Sequence, residues 1–369
     1  MGFWSVGRSL AGAALVAVAA LTPAAPLDAP MAVRPALTRP TPARCEAVSD
    51  EPAWRQVAAS GPPARALHVA AFDRRHGLAV VFGGVRADYG VLGDVWTFSP
   101  LTETWQEIVL AGDQPSPRWA SAAVEDAKRG RILVLFGSDG RPSDEVWALD
   151  LGGPTWERLV SGPPARFDAA VATDGANRLW VYGGFPWSPA NPDAVLGDLW
   201  ELDLVSSTWR QRHVAAAPPL PARLPPATTN ASLAFHDESL YLVGGHTAAA
   251  ATPGTWRYDL GTETWHDLPA AGAPAAWAHQ ARAADEACGQ LLLAGGDNAD
   301  ERDVPYVEAL QMGPGERYVR LPGEQPAASR HHSAMALDPV SRQLVLFGGW
   351  RGSGVFLGDT WLYRLGQIR

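Results

Sequence analysis

The stretch Val80-Val81-Phe82-Gly83-Gly84 places an apolar run directly before glycine, and the same arrangement returns five more times along the 369-residue chain. The later copies are Leu133-Val134-Leu135-Phe136-Gly137, Trp180-Val181-Tyr182-Gly183-Gly184, Tyr241-Leu242-Val243-Gly244-Gly245, Leu292-Leu293-Ala294-Gly295-Gly296 and Val345-Leu346-Phe347-Gly348-Gly349. An apolar run without alternation is typical of a strand that is covered on both faces. The sequence therefore predicts a repeat protein with six units.

Two tryptophan positions follow most of these runs in a constant order. The first tryptophan stands two residues after an acidic residue or in a remnant of that pattern, at Asp94/Trp96, Glu145/Trp147, Asp198/Trp200, Thr255-Trp256 and Asp359/Trp361. The second belongs to a Thr-Trp pair, at Thr104-Trp105, Thr155-Trp156, Thr208-Trp209 and Thr264-Trp265. The spacing is roughly 50 to 56 residues, close to the period of propeller blades. Because a buried tryptophan covers a large area, these residues are expected to pack the blades together.

Each unit contains four short strands separated by turn residues. In the first unit the strands are predicted within 65–72, 78–82, 95–98 and 105–109, with a turn at 73–77. The glycine pairs end the second strand, where glycine permits positive φ and close backbone approach. A phosphate-binding role would require a helix to begin after the glycines, and no helical periodicity follows them.

This combination of motifs resembles the kelch-repeat β-propeller, the type of domain found in the centre of galactose oxidase. The resemblance covers about Trp54 to Leu365 and implies an all-β, six-bladed propeller with four antiparallel strands per blade. The fifth unit departs from the pattern, with Tyr306-Val307-Glu308 and Tyr318-Val319 near the two tryptophan positions. The copper chemistry of galactose oxidase is not implied, because Cys288 lies in a turn on the opposite side of the disc from the site that this chemistry would use.

The sixth unit contains Asp359 and Trp361 but no following Thr-Trp strand before Arg369. An unpaired blade edge would leave backbone groups exposed. The segment Trp54-Arg55-Gln56-Val57 matches the pattern of Thr104-Trp105-Gln106-Glu107-Ile108. We therefore expect the N-terminal segment to form the outermost strand of the last blade and to close the ring.

The N-terminal region has the composition of an export signal. Arg8 provides a positive charge, and the apolar run from Leu10 to Leu21 is too short to span a bilayer comfortably. We predict a signal peptide at 1–25, a Pro/Ala-rich disordered spacer at 26–50 and the propeller at 51–369, with no membrane span. The predicted location is secreted, periplasmic or at the cell surface.

The chain contains two cysteines, Cys45 and Cys288. An even number in an exported chain fits one disulfide, and two unpaired thiols are the alternative. The formal net charge of −9 and the pI near 5.5 argue against a nucleic-acid partner, because binding to a phosphate backbone needs clustered Lys and Arg. We expect a monomer.

The loops between the second and third strands and the links between blades are predicted to emerge on one face. The ligand-binding candidates there are the non-repeating residues Trp187, His246, Trp350 and Arg351, the repeated arginines Arg65, Arg118, Arg166 and Arg330, and Trp277 and His331 beside the links. Aromatic residues beside Arg, Asp and His suit a carbohydrate or a small polar ligand. For the arginines, the alternative interpretation is that a residue repeated in every blade braces its loop.

No catalytic residue, metal site or cofactor is predicted. His331 and His332 are adjacent and would point to opposite faces of a strand, although a site assembled from His246, His279 and His331 remains open. No nucleophile-elbow motif supports Ser-His-Asp catalysis.

The preferred function is an exported, non-enzymatic module that binds a protein or a glycan through its loop-bearing face. One alternative is a sugar-modifying enzyme resembling N-acetylneuraminate epimerase, in which acid and base groups transfer protons. Another is a rigid spacer in a cell-surface assembly. A polar pocket containing Asp or His with a strongly shifted pKa would favour the enzyme, whereas a flat aromatic face would favour binding.

Overall fold

The computed structural model describes residues 54–57, 59–188, 190–191, 193–213, 224–273, 277–298, 302–322, 329–352 and 354–365. These residues form six four-stranded antiparallel sheets. The first strands of neighbouring sheets contact one another at five boundaries, including that between the last and the first sheet, and an apolar cluster containing Tyr241 and Leu293 joins the remaining two sheets, so the sheets close into a ring. The predicted all-β, six-bladed propeller is confirmed. The predicted signal peptide at 1–25, the spacer at 26–50 and Cys45 lie outside the described residues.

The strands are numbered in chain order, beginning with β1 (Trp54–Val57). Blade one contains β2 (Val69–Asp73), β3 (Leu78–Val85), β4 (Val91–Ser99) and β5 (Thr104–Ile108). Blade two contains β6 (Ala122–Asp126), β7 (Arg131–Leu135), β8 (Val146–Asp150) and β9 (Thr155–Arg158). Blade three contains β10 (Ala170–Thr173), β11 (Arg178–Gly184), β12 (Leu196–Asp203) and β13 (Thr208–His213).

Blade four contains β14 (Ser232–His236), β15 (Ser239–Val243), β16 (Thr255–Asp259) and β17 (Thr264–Asp267). Blade five contains β18 (Ala281–Asp285), β19 (Gln290–Ala294), β20 (Val307–Gln311) and β21 (Arg317–Arg320). Blade six contains β22 (Ala334–Asp338), β23 (Gln343–Arg351), β24 (Val355–Arg364) and, as its fourth strand, β1. The described part of the chain has no helix that is long and apolar enough to cross a membrane.

The N-terminal strand closes the ring, as predicted. β1 pairs antiparallel with β24, with Trp54 opposite Tyr363 and Val57 opposite Thr360. The Trp54 and Tyr363 rings lie 5.3 Å apart between centroids, and Trp54 is 6% exposed. Blade one adds a contact to this closure, because the Trp105 indole Nε1 donates a hydrogen bond to Thr360 Oγ1 at 2.9 Å.

The apolar core lies between the blades. Side chains from blades one and two form one cluster that includes Phe82 and Val134, and Val57 of β1 joins Phe72 and Val345 in the cluster between blades six and one. Burial of both sheet faces explains the apolar runs without alternation. The fifth blade retains this arrangement, because Tyr318 replaces the second tryptophan and its hydroxyl lies 2.8 Å from Thr255 Oγ1 of blade four.

The glycine pair of blade one shows why these runs end in glycine. Gly83 and Gly84 have φ values of 68° and 98°. A Cβ at Gly83 would lie 2.5 Å from the Arg118 carbonyl oxygen of the next link, and Gly84 N–H donates to that same oxygen at 2.9 Å. Glycine therefore lets each strand end contact the following inter-blade link directly.

Candidate functional site

The disc has two distinct faces. The loop face carries the loops between second and third strands together with the inter-blade links, which meet where Arg118 N–H donates to the Leu92 carbonyl oxygen at 2.9 Å. The turn face carries short reversals such as 73–77 and 338–342. The prediction that loops and links share a face holds for this structure, and both faces open onto a central channel.

The repeated arginines lie inside their blades. Arg65 is fully buried, and its Nη1 and Nη2 atoms each donate to one Asp94 carboxylate oxygen at 2.7 Å. Arg65 also donates to the Gly83 carbonyl oxygen, while Trp96 Nε1 donates to Asp94 at 2.8 Å. The repeated arginine and the repeated Asp-x-Trp motif therefore meet in one group of three side chains, here Arg65, Asp94 and Trp96, hereafter the brace.

The same brace recurs in three further blades. The pairs are Arg118 with Glu145, Arg166 with Asp198, and Arg330 with Asp359, at shortest distances of 2.7, 2.8 and 2.6 Å, and each acid also accepts a hydrogen bond from Trp147, Trp200 or Trp361. Paired, buried guanidinium groups hold the ends of the second and third strands together. This arrangement agrees with the interpretation of the arginines as loop braces.

Blade five uses a different side chain in the arginine position. Trp277 is 1% exposed, and its Nε1 donates to the Gly295 carbonyl oxygen, which corresponds to the carbonyl that Arg65 contacts in blade one. Tyr306 occupies the place of the paired acid and contacts Trp277 edge-on, with ring centroids 6.0 Å apart. Trp277 therefore serves the packing of its own blade.

Two residues beyond the repeated arginine, or beyond the residue that replaces it, the chain adopts a left-handed backbone conformation at the channel mouth. The six residues have φ between 52° and 57° and are hereafter the collar: Leu67, Ala120, Asp168, Asn230, His279 and His332. Every member of the collar lines a cavity of about 120 Å³ at the loop-face end of the channel.

Backbone hydrogen bonds join collar residues across blade boundaries. The bonds run from Ala120 N to Leu67 O, Asp168 N to Ala120 O, Asn230 N to Asp168 O, His332 N to His279 O and Leu67 N to His332 O, at 2.8–3.1 Å. Each of these five bonds links two neighbouring blades. The backbone of the collar is therefore tied to the blades on either side of it.

The collar has an apolar side and a polar side. Leu67 and Ala120 come from blades one and two, whereas Asp168, Asn230, His279 and His332 come from four successive blades. This polar side provides hydrogen-bond donors and acceptors that converge on one small cavity.

Histidines dominate the collar where blades five and six meet. The His279 and His332 rings stack with centroids 4.1 Å apart, and His331 Nδ1 lies 2.6 Å from His332 Nδ1, so one ring donates an N–H to the other. His279 Nδ1 lies 2.7 Å from Asp297 Oδ1. Trp350 stacks on His331 at 5.7 Å. These rings form a compact aromatic group beside the channel.

Burial keeps most of these histidines neutral. Burial, reinforced by the charges of His279 and His331, holds the pKa of His332 well below its usual value. Burial likewise lowers the pKa of His331, and it lowers the pKa of His68, just inside the collar, to about 3. Burial opposes ionisation of Asp297, but the neighbouring His279 charge and hydrogen bond hold its pKa below the usual range.

Asp168 behaves in the opposite way. Burial raises the pKa of this carboxyl to about 6, although His279 and a hydrogen bond from Asn230 oppose the shift. Asp168 can therefore exchange a proton near neutral pH and can either donate or accept a hydrogen bond at the cavity wall.

The non-repeating candidates lie around this site. His246 is half-buried, with its ring centroid 5.9 Å from that of His279, and Trp350 is 6% exposed because it packs against His331, His332 and Phe356. Trp187 is half-buried in the loop between β11 and β12. Arg351 is exposed at the end of β23, and its Nε donates to the Ser329 carbonyl oxygen at 3.1 Å. The structure brings His246, His279, His331 and Trp350 together.

Within the described residues, no group of three His, Cys, Asp or Glu side chains has an arrangement that could hold a metal ion. The His279 ring lies 5.9 Å from His246 and 6.5 Å from His331 between centroids. Cys288 is disulfide-bonded in the turn between β18 and β19. Because Cys45 lies outside the described residues, the pairing of the two cysteines stays a prediction.

The turn-face end of the channel carries an ionic group that sequence analysis missed. Arg74 of blade one contacts Glu125 of blade two at 2.8 Å and Glu286 of blade five at 3.1 Å, beside a second cavity of about 130 Å³. Burial raises the pKa of Glu125 to about 7 despite this ion pair. The pairs connect blades across the channel.

Asp168 and Asn230 were also missed. Neither belongs to a recurring motif, and the two residues, 62 positions apart, occupy corresponding places in neighbouring units. Alignment of the units on the repeated arginine places both residues two positions further on, but it does not show that this position faces the channel.

Comparison with known proteins supports the class that this fold defines, a repeat-built six-bladed propeller. Residues 47–163 and 160–312 match the family model described as the KLHDC2/KLHL20/DRC7 Kelch-repeats domain. The matched ranges make up more than half of the chain, so the chain belongs to the kelch-repeat family.

Several curated proteins are similar over part of their length. The Rab9 effector protein with kelch motifs of Bos taurus is 27% identical over 187 residues, which is 47% of this chain and 48% of that protein. Multiple epidermal growth factor-like domains protein 8 of Homo sapiens is 31% identical over 58% of this chain and 8% of its own length. Adagio protein 3 of Arabidopsis thaliana is 30% identical over 46% of this chain and 27% of its own length. The chain thus spans about half or less of these relatives.

Proposed function

We propose that this chain is an exported protein-interaction module that docks a segment of a partner protein on its loop face, over the collar. The observation that carries the proposal is the collar itself, six residues tied to neighbouring blades by backbone hydrogen bonds, with a polar side of four residues and an aromatic group next to it. Rigid presentation reduces the entropy lost on binding, so a small number of contacts can provide useful affinity.

The cavity inside the collar suits one inserted side chain. Its volume of about 120 Å³ is below the roughly 150 Å³ of an engineered cavity that accepts benzene. Asp168 and Asn230 offer oxygen acceptors at its wall, and Leu67 offers an apolar contact on the other side. A partner side chain with hydrogen-bond donors, such as an amide, would satisfy both sides.

Two further lines support the proposal. The name of the Rab9 effector protein with kelch motifs describes a protein that acts through another protein. Export is supported by the apolar run from Leu10 to Leu21 after Arg8. A glycan partner would have to lie outside the cavity, because a pyranose ring is larger than benzene, and the half-buried Trp187 is the candidate aromatic contact for it.

A second candidate function, proton transfer on a small substrate, is favoured by one observation. Burial raises the pKa of Asp168 to about 6 in a cavity that also contains His279, and groups titrating near neutral pH suit acid–base chemistry. The small cavity volume favours a substrate below the size of a sugar. The third hypothesis is a rigid spacer. A spacer would not need the polar side chains of the collar.

Selection from a displayed random-peptide library on the full chain tests the proposal. Peptide affinities would then be measured for the wild type, for Asn230→Ala and Trp187→Ala on the loop face, and for Val340→Ala on the turn face. Alanine is tolerated in the collar conformation, since Ala120 has a φ of 52°. Loss of one Asn230 hydrogen bond should weaken binding by about tenfold.

Val340 is 48% exposed and provides the matched control, so its substitution should leave affinity unchanged. Peptides that bind all four proteins equally, or a library that yields no binder, would contradict the proposal. A glycan array on the same proteins distinguishes the glycan alternative: dependence on Trp187 without dependence on Asn230 would favour it.

A further inference from the structure

The layer of the channel below the collar contains one charged side chain among apolar ones. Three residues beyond each collar position, the six blades contribute Ala70, Ala123, Val171, Leu233, Arg282 and Met335, and all six line the lower cavity. Arg282 also lines the upper cavity. Arg282 therefore lines two spaces of about 120 and 130 Å³ near the middle of the channel.

Arg282 differs from the other inward-facing arginines in its electrostatic environment. Arg65, Arg166 and Arg330 each contact a carboxylate of their own blade, and Arg74 contacts Glu125 and Glu286. Within the described residues, Arg282 forms no ion pair. Burial lowers its pKa to about 10, with no nearby charge contributing to the shift. A guanidinium with a pKa of about 10 still carries its positive charge at neutral pH.

Arg282 is half-buried at the channel wall, and a charge partly removed from water without an opposite charge nearby is stabilised by a bound anion. We propose that Arg282 binds a small monovalent anion, of the halide, nitrate or formate class, in the central channel. The two cavities that Arg282 lines, of about 120 and 130 Å³, provide space for such an ion.

The position of Arg282 favours a free anion over an acidic side chain of a docked partner. Three strand residues separate the Arg282 backbone from the collar, which corresponds to about 10 Å. A free anion can reach Arg282 through either cavity, whereas a partner side chain inserted from the loop face could enter only the upper one. A single charge is favoured because Asp168 and Glu125, which line the two cavities, would oppose a second negative charge.

Anion-dependent stability of the full chain tests this site. Bromide would replace the bulky anion gluconate at constant ionic strength while the melting temperature is measured. If bromide binds the folded protein, each tenfold increase above its dissociation constant should raise the melting temperature of the wild type by about 2 °C. Arg282→Met, which places a second methionine beside Met335, should abolish the increase, whereas Arg282→Lys should retain part of it.

Equal bromide effects on the wild type and Arg282→Met would overturn the proposal. If Arg282→Met does not fold, anomalous diffraction from wild-type crystals grown in bromide decides the question. A bromide peak next to the Arg282 guanidinium is expected, and a channel without bromide at that position would equally overturn the inference. Because the test uses no protein partner, its result is independent of the proposed docking function.

Discussion

Substitution of Trp54 by alanine should disrupt the closure of the ring. Trp54 is 6% exposed and packs on the Tyr363 ring, with centroids 5.3 Å apart. It also belongs to the apolar cluster between blades five and six, which includes Leu344. β1 has only four residues, so this side chain provides much of its attachment to the last blade.

The expected loss follows from the buried area. A tryptophan buries about 200 Å² or more, and removal of such a side chain from a core costs about 3–5 kcal/mol because a cavity remains. Val57, at the other end of β1, would still anchor the strand. We therefore expect the free energy of unfolding to fall by about 3–5 kcal/mol, a large part of the total stability of a domain.

Urea denaturation followed by circular dichroism measures this change. Gln56→Ala is the matched control, because Gln56 lies in the same strand with an exposed side chain and should change stability by less than about 0.5 kcal/mol. A chain that begins at Ser60, which lacks β1, should be less stable than one that begins at Glu51. If Trp54→Ala resembles Gln56→Ala, or if both chains unfold at the same urea concentration, β1 does not hold the ring closed.

Three further predictions concern the braces, the buried histidine and the disulfide. Asp198→Ala leaves the buried Arg166 charge unpaired and should cost about 3–5 kcal/mol in urea denaturation, whereas Glu103→Ala, in an exposed pair, should cost less than about 1 kcal/mol; equal losses would contradict the brace. The pKa of His68 is lowered from 6.5 to about 3, so the contribution of the neutral ring to stability is present above pH 6.5 and is lost as the pH falls towards 3. His68→Leu should therefore reduce the pH dependence of the free energy of unfolding in this range by up to about 1.4 kcal/mol per pH unit, and an unchanged pH dependence would refute the assignment. Non-reducing peptide mapping should recover Cys288 linked to Cys45, and alkylated thiols at both positions would exclude that pairing.

The architecture could be predicted because each blade repeats the same local signals. Glycine at the end of β3, tryptophan at fixed positions and turn residues between strands have the same physical role in every unit. The closing strand was also predictable, since Trp54 matches the fourth-strand pattern that blade six lacks.

Cys288 lies in a turn on the same face as the start of β1. Trp54 pairs with Tyr363, which in turn pairs with Leu344 beside the turn at 338–342.

The arginine braces could have been recognised from the units themselves. Where the acid is absent, the arginine is absent too: blade four has Thr228 and Gly254 at these two positions, and blade five has Trp277 and Tyr306. Joint loss of two residues indicates that they contact each other rather than a ligand.

The collar and Arg282 could not be predicted from motifs. Their functional value depends on differences between units, and no single unit shows which of its side chains faces the channel. Asp168 and Asn230 become neighbours only because blades three and four adjoin, and Arg282 becomes unusual only when compared with Val171 or Leu233 at the same depth. Position around the axis, which the ring establishes, is the missing information.

Hydrogen exchange of the full chain with and without a library-selected peptide tests the central claim most directly, namely that the loop face over the collar is the binding surface. Bound peptide should slow amide exchange in the collar segments 119–121, 167–169 and 229–231, and leave the turn-face segments 73–77 and 338–342 unchanged. Slower exchange at the turn-face segments with no change around the collar would contradict the account.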